Sequence, residues 1–208
     1  MTIKRSHFYH FWIWASAMII GLFAYPFVAN HLLSYVRINQ GTGAIAPFFT
    51  DQVQHWESDI VRWSDAYEID PNLMATIMQI ESCGHPTVVS GAGARGLFQV
   101  MPFHFSADEN MIEPNTNAFR SANFIRECTG YANGDVGLTL ACYNGGPSVT
   151  WRDFDTWAHE TKRYYVWGLG IYRDAISYAN QSDTLDEWLG AGGSNLCNRA
   201  TVALMTYR

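Results

Sequence analysis

Glu81 is the residue whose type and position best suit acid–base chemistry. Asp70 can cap a helix by accepting its first free N–H groups, and Pro71 suits the first helical position, where no N–H is required. Leu73, Ile77 and Ile80 then recur at helical spacing, and Glu81 falls four residues after Ile77 and eight after Leu73. The spacing predicts a helix over 71–81 with one carboxyl on its apolar stripe, in the last turn. Burial there disfavours the charged form, as does the negative end of the helix dipole, and both raise the carboxyl's pKa. A carboxylic acid kept protonated near neutrality can donate to a leaving oxygen. Taken alone, the helix favours a plainer reading: a core Glu neutralised by a partner, or a rotated helix that leaves Glu81 in solvent.

The residues that follow change that balance. Glu81-Ser82 leads into Ser90-Gly91-Ala92-Gly93-Ala94, and then into Gly96-Leu97-Phe98-Gln99-Val100-Met101-Pro102. Two further blocks come in order, Ala141-Cys142-Tyr143-Asn144-Gly145-Gly146 and Glu160-Thr161-Lys162-Arg163-Tyr164. The set resembles the family 1 lytic transglycosylases, which share a lysozyme-like domain with goose-type lysozymes. In that family Glu-Ser is followed by a short loop and Gly-Leu-Met-Gln, with the Gly fifteen residues after the Glu, as Gly96 is here. Ala-Tyr-Asn-Ala-Gly and Glu-Thr-x-x-Tyr follow. The chain departs from the pattern with Phe98 for Met, Gly84-His85-Pro86 for Phe-Asn-Pro, and an added Cys142. None of these removes the acid.

The resemblance implies a mainly α, lysozyme-like (α+β) domain that cleaves the β-1,4 bond between N-acetylmuramic acid and N-acetylglucosamine in peptidoglycan, with no metal and no cofactor. Glu81 is the implied catalytic acid, and Ser82 helps to orient it. Gln99, Tyr143 and Asn144 match residues lining the saccharide groove, and Tyr164 one that contacts the sugar or the Glu. Met101 and Glu160 complete the substrate side. Amides suit N-acetyl groups and ring hydroxyls, and tyrosines suit sugar faces. Plainer roles exist for each: Gln99 satisfying loop backbone, Tyr143 in the core, Glu160 in the first turn of its helix. Two alternatives differ in outcome. One is plain hydrolysis, as in a lysozyme. The other is a non-catalytic accessory subunit packed in a larger membrane complex. The retained Glu81 with three supporting blocks speaks for an enzyme.

Composition narrows the partners. Charged residues make up only 15% of the 208, aromatics also 15%, and the net charge is −6. No Lys/Arg cluster appears, so a nucleic-acid partner is not expected. Four cysteines, Cys83, Cys128, Cys142 and Cys197, show no CxxC or zinc spacing, and at least one disulfide is expected, with three pairings open. A basic head, residues 1–7, precedes 8–29, which holds no Asp, Glu, Lys or Arg and has aromatics near both ends. About 20 such residues span a bilayer core as a helix, and Lys4 and Arg5 place the N-terminus in the cytoplasm. An uncleaved single-pass membrane anchor, with the rest of the chain extracytoplasmic, is therefore expected over a cleaved signal peptide.

The remaining elements must carry the site. Residues 30–49 read as a tether, 50–180 as the catalytic domain, and 181–208 as an extension. Thr50 heads a predicted helix through Tyr67, with Val53, Trp56, Ile60 and Trp63 on its apolar face. Thr87 to Val100 suggests a small β-hairpin. Asp108, Glu109 and Glu113 lack calcium-loop spacing and suit a solvated loop. Asn115 or Thr116 should cap a helix through Cys128, Asp135 one over Val136–Asn144 ended by Gly145, and a last long helix should run from Glu160 to Tyr178.

Overall fold

The structure is a computed structural model that describes residues 45–177 and 179–207. The basic head, the apolar segment 8–29 and most of the tether lie outside the described residues. Among those described, no helix is long and apolar enough to cross a membrane.

Among the described residues eight α-helices follow in order: α1 Asp51–Gln54, α2 Glu57–Tyr67, α3 Pro71–Glu81, α4 Pro114–Tyr131, α5 Val136–Gly145, α6 His159–Ile176, α7 Asp183–Trp188 and α8 Ser194–Thr206. Short 3-10 turns occupy Pro102–His104, Pro147–Trp151 and Phe154–Thr156. No strand forms among the described residues. In place of the expected hairpin, two isolated bridges pair Arg95 with Val89 and with Val100. The glycines that punctuate this loop leave too few consecutive residues for a ladder.

Asp70 caps α3 as expected, accepting from Asn72 N at 2.8 Å and Leu73 N at 3.3 Å. Asp135 does the same for α5, accepting from Leu138 N at 2.7 Å. The cap of α4 falls earlier than expected. Glu113 accepts from Asn115 N and Thr116 N, because Pro114 fixes the first helical residue and leaves the cap to its predecessor. The helix expected over 50–67 breaks at His55–Trp56. There the Trp56 indole leaves the helical path to donate to Gly84 O at 2.9 Å.

The domain also begins earlier than expected. Ile45 and Phe49 are each only 2% exposed, and Ala46 N donates to Asn72 Oδ1 at 2.8 Å. Residues 45–49 are thus core rather than tether, and Gly43–Arg208 forms one unit that includes the C-terminal extension. Both cysteine pairs are joined, Cys83 to Cys197 and Cys128 to Cys142.

Candidate active site

The acid stands at the end of a buried helix. Seven consecutive residues of α3, Leu73 to Gln79, are buried, and Glu81 is its last residue. Glu81 is partly exposed along its length, and burial of its carboxyl dominates its acidity, raising the pKa to about 8. Helix α6 supplies two groups that act on it. The Tyr164 hydroxyl lowers the pKa as a hydrogen-bond donor would, while the negative charge of Glu160 raises it. Tyr164 is only 5% exposed, and its Oη has no hydrogen bond of normal geometry among the described residues. The phenol is therefore aimed at Glu81 over a longer or more bent contact than an ordinary hydrogen bond. Burial, followed by the Glu81 charge, raises the pKa of Tyr164 and keeps it a donor. Glu160 itself is exposed in the first turn of α6, where its charge suits the helix dipole.

A tightly tied loop, residues 95–100, faces the end of α3. Ser82, fully buried, donates its hydroxyl to Leu97 O at 2.5 Å and accepts from Gly84 N at 3.1 Å. Its side chain holds the corner after Glu81 rather than the carboxyl. Gln99, with φ of 47°, donates through Nε2 to Val88 O at 3.1 Å and Gly96 O at 2.9 Å. The plainer role for its amide nitrogen is thus occupied, and Oε1 makes no bond among the described residues. Tyr143 is buried, and its hydroxyl donates to Phe98 O at 2.8 Å and pairs with Ser121 Oγ at 2.9 Å. Asn144 accepts through Oδ1 from Thr161 Oγ1 at 2.9 Å, joining α5 to α6. Met101 is partly exposed at the head of the 3-10 turn.

Tyr143, Glu160 and Tyr164 are therefore brought into electrostatic reach of Glu81, with Ser82 and Gln99 bracing the loop beside them. Several shaping residues lie outside the sequence motifs. Fully buried Asn117 accepts from Phe98 N at 2.9 Å and donates to Arg95 O at 2.8 Å and Met111 O at 2.9 Å. Gly96, at φ 73°, passes so close that a Cβ there would lie 2.8 Å from the Asn117 amide. The signal for Asn117 and Ser121 was two polar residues four apart on a helix face otherwise apolar. A run of rings, Phe103, His104, Phe124 and Tyr143, leads outward with centroid separations of 4.5, 4.5 and 5.3 Å. It ends at Phe103, which is 75% exposed.

Two carboxylates of the acidic loop are already engaged. Glu109 pairs with Arg120 through Nε at 2.8 Å and Nη2 at 2.7 Å, and Glu113 is spent on the α4 cap. Among the described residues no group of three His, Cys, Asp or Glu is arranged for a metal ion.

This geometry falls inside residues 59–166, which match the transglycosylase SLT domain. The chain belongs to that family. Every residue described around Glu81 in this SLT domain lies within the matched stretch. A protein of Enterobacteria phage PRD1 named transglycosylase is 36% identical over 114 residues, covering 54% of this chain and 40% of its own length. The chain thus matches less than half of that relative. A solved structure, an inactive mutant of lytic transglycosylase Slt from Pseudomonas aeruginosa, aligns with TM-score 0.48 and 23% identity, over 59% of this chain and 24% of that one.

Proposed function

We propose that this SLT domain is a membrane-anchored lytic transglycosylase that acts on the glycan strands of peptidoglycan. The observation that carries the reading is the Glu81 carboxyl at the end of a buried helix, where burial raises its pKa to about 8 and the Tyr164 hydroxyl acts on it. A neutral carboxyl at physiological pH is a competent general acid. Glu81 protonates the glycosidic oxygen as its bond to the muramic acid C1 breaks. The carboxylate so formed takes the proton of the same sugar's 6-hydroxyl, whose oxygen bonds to C1 and closes a 1,6-anhydro ring. No water is consumed, and the acid is restored within the cycle.

The surrounding groups have parts to play in that cycle. Tyr164 favours the charged form and so supports the transient carboxylate, whereas Glu160 favours its return to the neutral acid. Gln99 Oε1, without a bond among the described residues, and the rings of Phe103, His104 and Phe124 offer an acceptor and flat faces to N-acetylated sugars. Anchoring rests on the uncharged aromatic-flanked stretch 8–29 and on Lys4 and Arg5 before it, which place the domain outside the cytoplasm.

Mass spectrometry of fragments released from purified sacculi by the full chain in detergent tests the reaction. Anhydro-muramyl ends, lighter by one water than the hydrolytic product, are the expected result. Reducing ends would assign a hydrolytic muramidase, and no release would favour an accessory subunit. Protease protection in intact spheroplasts tests the topology: the SLT domain should be digested only from outside the cytoplasmic membrane.

A further inference from the structure

The C-terminal residues 167–208 lie beyond the family match, yet they are bonded to the corner that follows the acid-bearing helix, two residues after Glu81. Cys83 joins Cys197 of α8 across 114 residues of sequence. Gln79, fully buried, lies against this bond, with Nε2 3.2 Å from Cys83 Sγ and 3.6 Å from Cys197 Sγ. Its Oε1 accepts from Thr50 N at 3.2 Å and Thr50 Oγ1 at 3.0 Å. Around the same corner Gln52 Nε2 donates to Thr201 Oγ1 at 2.7 Å, and the Trp56 ring meets Tyr207 at 5.9 Å. A Cβ on Gly84 would lie 2.5 Å from Gln52 O, so the backbone of the corner is pressed against α1. The two ends of the domain therefore close on the last turn of α3 and the corner after it.

We propose that this junction is a positioning device for the acid: the Cys83–Cys197 bond, seated on Gln79, clamps the last turn of α3 and keeps the Glu81 carboxyl enclosed. The link runs through Ser82, whose hydroxyl ties the clamped corner to Leu97 O in the loop beside the site. A corner released from α8 loosens that tie and admits water to the carboxyl. The titratable groups facing Glu81 are Tyr164 and Glu160 from α6 and Tyr143 from α5, and none of them belongs to the junction. A change of acidity on opening the junction therefore reports enclosure, not a lost charge. The proposal rests on Glu81 being the general acid.

The test titrates the full chain labelled with 13C at the glutamate carboxyl, with the Glu81 signal assigned by its absence in Glu81→Gln. The wild-type signal should titrate at about 8. In the double variant Cys83→Ala/Cys197→Ala the midpoint should fall by at least one pH unit, a tenfold loss of proton affinity. Gln79→Leu, which keeps the disulfide, should move it in the same direction. Cys128→Ala/Cys142→Ala, which opens the other bond, should leave it in place. An unmoved midpoint in folded junction variants overturns the proposal, and so does an equal fall in the Cys128/Cys142 control. Failure of both junction variants to fold overturns it too, since the junction would then be a requirement of the whole fold. A wild-type protein that titrates as stated but cleaves no glycan defeats the functional reading, and with it the junction's role in positioning a general acid, while the enclosure read from the junction variants is a separate result.

Discussion

The Tyr143 hydroxyl donates to the backbone carbonyl of Phe98 at 2.8 Å, tying the end of α5 to the loop beside the acid. The same oxygen pairs with Ser121 Oγ on α4, so three segments meet at one phenol. Tyr143→Phe keeps the ring and its contact with Phe124 but leaves a buried carbonyl and a buried hydroxyl without this partner. The variant should lose about 1–3 kcal/mol of stability, measured by urea denaturation, and should turn over more slowly. If Tyr143 served only as a sugar-stacking face, the Phe variant would keep both stability and activity.

Glu81→Gln should abolish glycan cleavage while preserving binding to sacculi, because the amide has the shape of the acid without its transferable proton. Activity above background in the purified variant would reassign the acid.

The same substitution should alter how stability depends on pH. Glu81 has a folded pKa of about 8 against an ordinary value of 4.5, so the folded state holds a proton that the unfolded state releases. Its contribution is fully present below pH 4.5 and is lost as pH rises through about 8. The wild type should therefore weaken across that window, by up to about 1.4 kcal/mol for each pH unit crossed. Glu81→Gln should flatten the slope, seen as urea midpoints that change less between pH 5 and pH 8.

Tyr164→Phe removes a group that favours the Glu81 carboxylate, so the acid should become weaker still. The upper limb of the pH–activity profile should move to higher pH, with kcat reduced because the transient carboxylate loses support. Stability should change little, since the hydroxyl makes no normal hydrogen bond among the described residues. A limb displaced to lower pH would contradict this role.

Asn117→Ala orphans the Phe98 N–H and the carbonyls of Arg95 and Met111 in the interior. A loss of about 3 kcal/mol is expected, with activity falling as the 95–100 loop loses its template. Thermal melts should show the drop, and Asn117→Asp should not restore it, because a carboxylate cannot donate to the two carbonyls.

Local rules made much of this domain legible from sequence. The caps at Asp70 and Asp135, the proline at the start of α3 and the helical spacing through Glu81 act over a few residues, so they read directly. The motif blocks are local patterns too, and the fold brings Tyr164 and Glu160 to act on Glu81 while Ser82 and Gln99 brace the loop beside it. Features that depend on distant partners did not read this way. Trp56 interrupts a helix that periodicity would continue, because its indole finds Gly84 O, 28 residues away. Ile45 and Phe49 follow a Gly-rich stretch that resembles a tether, and only the tertiary fold buries them, with Ala46 between them bonded to Asn72 of α3.

The sequence by itself determined that one carboxyl would sit at the end of an apolar helix, since the 3.6-residue period places Glu81 on that face. Only the tertiary structure decided the rest. It set which cysteines pair, that Tyr164 and Glu160 act on Glu81 with opposite sign, and that the Tyr143 and Ser82 hydroxyls are committed to backbone carbonyls. The reason is physical: each depends on the approach of segments far apart in the chain, and that approach is fixed by the packing of whole helices rather than by any residue's own neighbours.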